Sequence, residues 1–251
     1  MKIRLIALFL LLALALTGCT PALRPAEPET TLLPAPTEAT EAVETEKPTE
    51  AQTEATETAT EATEAPTERT EALGVDLGTV DGRTYRNESL GISASFPEGW
   101  YIYTESDIAD LNNFFSNMYD NAAVYNAIEE GQYIMFFCAS HLSSMASVNI
   151  GAMKNYYSYL DEKTYVEVAV PQTRVQLEQL GGISDVVCEP VEVDFCGQKH
   201  TALSSTYNSR GYSVCETTVY LFCGELVYTL NISATKESTV AEILSLFGSL
   251  G

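Results

Sequence analysis

The chain predicts an α+β domain, an antiparallel sheet with covering helices, and three observations carry that expectation. Four strand-like runs crowd into the last seventy residues, Asp185 to Phe195, His200 to Tyr207, Tyr212 to Phe222 and Leu226 to Ser233. Turn residues separate them: Cys196-Gly197, Asn208 to Gly211 and Cys223-Gly224. Helical spacing appears on both sides of that meander, and sequential strands joined by short turns with helices set apart define the α+β class.

Along the chain, Ile92, Ala94 and Phe96 alternate to one side before Pro97-Glu98-Gly99, and Trp100 to Tyr103 resumes an extended pattern. That reads as strand, turn, strand. Ile108, Leu111, Phe115 and Met118 fall at helical spacing between Ser106 and Glu130, with Thr104 and Asp107 as a start signal. Gln132 to Ser140 is apolar enough for a buried strand. Thr164 to Val170 and Gln172 to Leu180 read as helical, interrupted by Pro171 and closed by Gly181-Gly182. With Cys223-Gly224 as a two-residue hairpin loop, Leu221 faces Leu226, Val219 faces Tyr228 and Cys215 faces Ile232, all on one apolar face. Val240, Ile243, Leu244 and Phe247 then form the apolar stripe of a final helix stopped by Gly248.

The first 72 residues are of another kind. Lys2 and Arg4 precede an apolar run from Leu5 to Leu16. A dozen residues at 1.5 Å each span roughly 18 Å, short of a hydrocarbon core of about 30 Å, so the run reads as an export signal rather than a membrane span. From Thr20 to about Ala72 the chain is almost wholly Thr, Glu, Ala and Pro. Too few apolar groups are present there to offset the entropy of ordering, so this segment is expected to be a disordered tether. As a flexible coil it would span roughly 40 Å, and fully extended about 180 Å. Such a spacer suits presentation through a thick cell wall.

Two resemblances attach to these segments. Leu16-Thr17-Gly18-Cys19 resembles the bacterial lipobox. The resemblance implies a signal peptide over residues 1–18 and a lipidated Cys19, while composition and patterning give a tether over 19–72 and a folded domain over 73–251. It also implies membrane lipid as the partner of Cys19, through acyl chains that together hold where one would be marginal. The second resemblance starts with Asn87-x-x-Leu90-Gly91-Ile92 and Phe96-Pro97-x-Gly99-Trp100, followed by the meander and a C-terminal helix. This is similar to the PsbP-like fold over about Arg83 to Phe247. Members of that fold share no active site, so the likeness implies a scaffold for binding and transfers no functional residue.

Charge narrows the partners. The chain carries a formal charge of −22. From Leu73 onward 22 acidic residues stand against 8 basic ones, a net charge of −14. Phosphate recognition needs clustered Lys and Arg, so nucleic acid is not expected as a partner. An envelope protein or a wall polymer is.

No constellation for catalysis is expected, and neither a cofactor nor a metal. Cys138 with His141, and Cys196 with His200, give zinc-ligand types, but residues three apart on a strand point to opposite faces. Ser140, Ser143 and Ser144 surround His141 without a Gly-x-Ser-x-Gly elbow. The carboxylates of Glu129-Glu130, Asp161-Glu162 and Asp185/Glu189 read as solvated surface, and Trp100 as core. The ligand-binding candidates are Tyr212 and Tyr220, on the hairpin face opposite Cys215 and Val219. An uncovered face makes them an aromatic patch; a covering helix makes them core. Five cysteines remain after Cys19: Cys138, Cys188, Cys196, Cys215 and Cys223. Cys196 and Cys223 both sit at hairpin tips, but two strands apart in a simple meander, near 10 Å, beyond disulfide reach. Free thiols are therefore expected. The function that follows is a membrane-anchored extracytoplasmic binding module, with an envelope hydrolase as the alternative.

Overall fold

The computed structural model describes residues 75–112 and 121–250. The export signal, Cys19 and the tether lie outside the described residues, as do Phe115 and Met118 of the expected helix.

Eleven strands are present among the described residues, all paired antiparallel, in two sheets. The smaller sheet has the order β1-β2-β3-β11, made of β1 (Thr79–Asp81), β2 (Thr84–Asn87), β3 (Ile92–Ser95) and β11 (Phe247–Ser249). The larger has seven strands. These are β4 (Trp100–Ile102), β5 (Ile134–His141), β6 (Ala146–Lys154), β7 (Ile183–Phe195), β8 (Gln198–Ser209), β9 (Tyr212–Cys223) and β10 (Leu226–Ala234). Their order across the sheet is β4-β5-β6-β10-β9-β8-β7. Four helices accompany them: α1 (Glu105–Leu111), α2 (Asn121–Glu129), α3 (Glu162–Gln179) and α4 (Glu237–Leu244). The α+β class, an antiparallel sheet with covering helices, is what the structure has.

The main core joins the small sheet and α4 to one face of the large sheet. Ile92, Ala94 and Phe96 are all buried, as their alternation requires. The Phe96 ring lies 5.5 Å from Phe137 and 6.3 Å from Phe247, and Tyr85 lies 4.4 Å from Phe137. From the meander, Val219, Tyr228, Leu230 and Ile232 enter the same cluster. Trp100 is half-buried against it, 5.2 Å from Phe96.

Several expectations need correcting, though the strand, turn, strand of β3 and β4 is present, its two strands lying in different sheets. The chain leaves the small sheet at Pro97, turns through Gly99 at φ +93, and enters the large sheet as its edge. The hairpin of β9 and β10 turns on Gly224-Glu225, so Leu221 faces Tyr228, Val219 faces Leu230 and Cys215 faces Ala234. That register is two residues from the expected one, and a shift of two leaves every side chain on its predicted face. α3 runs unbroken through Pro171, which is exposed on its outer side. The final helix ends at Leu244, and Phe247 is instead a strand residue paired with Ala94. β6 was not expected at all, although it lies between β5 and β10.

α1 begins as expected. Asp107 N–H donates to the Thr104 hydroxyl and the Thr104 N–H donates back to the Asp107 carboxylate, a full capping box. The Thr104 hydroxyl and N–H, both donating to the Asp107 carboxylate, hold that carboxyl below its usual range.

Candidate functional site

α3 touches the large sheet through only two buried side chains, Val166 and Leu177, eleven residues or three turns apart. Each seats in its own apolar cluster. Val166 packs with Leu203, Tyr220 and Val227, and Leu177 packs with Cys188, Tyr207 and Val214. Polar bonds fix the same two ends. At the first turn, the Glu162 carboxylate accepts from the Thr201 N–H and lies 3.1 Å from His200 Nδ1, while the Asp161 carboxylate accepts from the Thr164 N–H at 2.7 Å. Toward the other end, Arg174 donates to the carbonyl oxygen of Cys188 at 3.1 Å.

Between the two anchors the helix offers Ala169, Gln172, Thr173 and Gln176 to the sheet, small or polar residues that cannot fill the gap. The sheet opposite is polar as well. One row of register partners runs Ser147, Ser233, Glu216, Ser205 and Cys188 across five strands. The adjacent row runs Asn149, Asn231, Thr218 and Leu203. Between helix and sheet lies a cavity of about 90 Å³. Ser205, Glu216, Thr218, Thr229 and Asn231 form its floor, and Tyr156, Tyr157, Tyr165 and Tyr220 line its aromatic side.

Glu216 is the ionisable group of this floor, with 4 % of its surface exposed. Tyr207 and Ser233 hydrogen-bond to its carboxylate, yet Oε1 has no partner. Burial pushes its pKa up to about 7, against which those two bonds work. Asn231 donates to the Thr218 hydroxyl at 3.0 Å, and its Oδ1 likewise has no partner. Buried acceptors are normally satisfied, so two on side chains that line one cavity distinguish this place from ordinary core.

Two glycines shape the surroundings. A Cβ on Gly151 would stand 2.3 Å from the Tyr133 ring, so only glycine lets that ring lie across β6. The Tyr133 hydroxyl then reaches Asn149 Oδ1 at 3.3 Å and receives the Thr229 hydroxyl at 3.2 Å. Gly131, at φ +87, similarly admits the Tyr156 hydroxyl.

The two tyrosines expected as ligand contacts part company. Tyr220 is buried under α3, its ring 5.1 Å from Tyr165, and it lines the cavity. Tyr212 stands at the start of β9, 41 % exposed and outside the cavity lining. α3 covers the face that an open aromatic patch would have needed.

The histidines lie elsewhere. His141 Nδ1 is 2.7 Å from the Ser144 hydroxyl in the β5–β6 turn, and its ring is 5.5 Å from Trp100. His200 serves the α3 clamp. Neither lines the cavity. The paired carboxylates have local partners: Glu129 with Lys154, Asp161 and Glu162 at the start of α3, and Asp185 with Ser184 and Asn208. Among the described residues no group of three or more His, Cys, Asp or Glu is placed to hold a metal ion. The five cysteines there carry no disulfide, and β8 separates Cys196 of the β7 tip from Cys223 of β9.

No protein-family model and no curated protein matches the chain. It is similar to solved structures at the level of the backbone. One is the solution structure of cyanobacterial PsbP from Synechocystis, with 10 % identity and a TM-score of 0.41, covering 69 % of this chain and 98 % of that one. Another is LpqN, described as involved in cell envelope biogenesis of Mycobacterium tuberculosis, with 14 % identity and a TM-score of 0.33, covering 62 % of this chain and 82 % of that one. Among the described residues no helix is long and apolar enough to cross a membrane.

Proposed function

We propose that this protein is a lipid-anchored, extracytoplasmic binding module whose ligand occupies the cavity between α3 and the large sheet. The observation that carries the reading is the pair of buried acceptors, Glu216 Oε1 and Asn231 Oδ1, left without partners on side chains that line one polar-floored cavity. A buried polar group without a bond costs about 1–3 kcal/mol, and a ligand that supplies donors recovers that cost on binding. The lipobox-like Cys19 and the acidic tether supply anchoring and reach in this reading. Neither imidazole meets the cavity, so the hydrolase alternative draws no support from it.

The test is a thermal-shift screen of small polar solutes against the wild-type chain and an Ala169→Phe variant, which fills the cavity from the helix side. A genuine ligand at about 100 times its Kd contributes about 2.7 kcal/mol, or a rise in Tm of roughly 5–10 °C for a domain of this size. That rise is expected in wild type and lost in the variant. Hits that stabilise both chains equally would sink the assignment.

A further inference from the structure

We infer that the ligand of this cavity is a small primary amine, bound as its ammonium between the Glu216 carboxylate and Asn231 Oδ1 with its carbon body against the tyrosine rings. The inference rests on the cavity being the ligand site. With Glu216 as its carboxylate the two orphan oxygens are both acceptors, so the complementary ligand group is a donor with more than one N–H or O–H. One of the two belongs to a carboxyl group, which makes a cationic donor the better match. Glu216 and Ser233 are register partners, as are Asn231 and Thr218, so Glu216 and Asn231 are diagonal neighbours on adjacent strands. Diagonal neighbours stand about 7–8 Å apart at the backbone, close enough for one ammonium with three donors to serve both side chains.

The rest of the lining agrees. Its one cationic side chain, Lys154, is already paired with Glu129, so no lining cation neutralises Glu216. Tyr156, Tyr157, Tyr165 and Tyr220 present aromatic surface, which attracts cations through the ring faces and packs hydrocarbon through its apolar area. A domain of net charge −14 draws cations and repels anions before any contact forms. At the liquid share of about 30 Å³ per water, the cavity holds about three waters, so its ligand is small.

Binding of an ammonium requires the carboxylate form of Glu216, so affinity depends on pH. The titratable and charged groups near Glu216 are Tyr207 on β8, Cys188 on β7 and Arg174 on α3. Burial raises the pKa of both Tyr207 and Cys188, which keeps them neutral near pH 7, and Arg174 is engaged by the Cys188 carbonyl. Among these groups Glu216 is the one that changes charge between pH 6 and pH 8.

The experiment measures binding of n-butylamine, 1-butanol, butyrate and tetramethylammonium to the full chain by calorimetry. Butylamine is expected to bind at least tenfold more tightly than the alcohol and the acid, and more tightly than tetramethylammonium, which has no N–H. Its affinity should rise about tenfold from pH 6 to pH 8, with release of nearly one proton at pH 6 read from buffers of different ionisation enthalpy. Glu216→Gln should remove both the preference and the pH dependence, and the wild-type pH profile decides the matter by itself where that variant does not fold. Butanol or butyrate binding as well as the amine, or a flat pH profile, with binding blocked by Ala169→Phe, would overturn the amine and leave the cavity as the site. No binding by any probe, or binding indifferent to Ala169→Phe, would overturn both.

Discussion

Glu216 is a carboxylic acid kept where its charge is poorly solvated, and its proton should be visible in stability. Its pKa lies at about 7 in the fold, above the ordinary 4.5. Between those values the unfolded chain has released this proton and the folded chain still holds it, so stability falls as pH rises. The contribution is fully present below about pH 4.5 and is lost as pH passes through about 7, an amount on the order of 3 kcal/mol. Denaturant titrations at pH 4.5, 6 and 8 should show this decline in wild type but not in Glu216→Gln, whose neutral amide does not titrate. Equal pH slopes in the two chains would show that the carboxyl is not held neutral. Asp107, Asp161 and Asp185 act in the opposite sense, because hydrogen bonds lower their pKa values. Their contribution is present above about pH 3.8 and fades below it, outside this window.

At the scale of the element, α3 is a helix whose seating and whose chemistry use different residues. Leu177→Ala should empty one anchor pocket and cost about 2–4 kcal/mol. Pro171→Ala should do the reverse. It restores an N–H to the helix interior at an exposed position and removes the ring from the Glu167 carbonyl, a gain of about 1–3 kcal/mol after the loss of unfolded-state stiffness. Urea midpoints of the two variants check both signs, and a Pro171→Ala chain less stable than wild type would mean the proline shapes the helix over the cavity. The expectation of two helices failed here for a physical reason. A proline ends a helix when nothing else holds it, and α3 is held on both sides of Pro171 by Val166 and Leu177. β6 failed for another: Ser147, Asn149 and Gly151 make a third of its nine residues polar or small, a pattern that imitates a loop until the cavity above them is known. The β7–β10 meander succeeded because each of its strands is long and bounded by glycine-bearing turns.

At the scale of the molecule, the faces of the sheet were legible in the sequence and what covered them was not. Alternation places Tyr220 and Glu216 opposite the apolar face in any register of even shift, but an acidic residue on such a face reads as solvent-facing. The signal that marks Glu216 is cross-strand: Ser205, Glu216 and Ser233 fall in one row, which emerges only with the strand order and register in hand. The anchor belongs to this scale too. Cys19→Ala should leave a precursor that is neither processed nor lipidated and that no longer enters the detergent phase. Processing and partition equal to wild type would remove the lipobox reading.

The two-point mounting of α3 also separates what must persist from what is free to change. Val166 and Leu177 are the buried seats of the helix, while Ala169, Gln172, Thr173 and Gln176 between them line the cavity. Substitutions among those four redraw the interior without removing either buried anchor. A scaffold arranged in this way can be retuned from one solute to another by a few point changes on a single helix face, with the sheet beneath left as it stands.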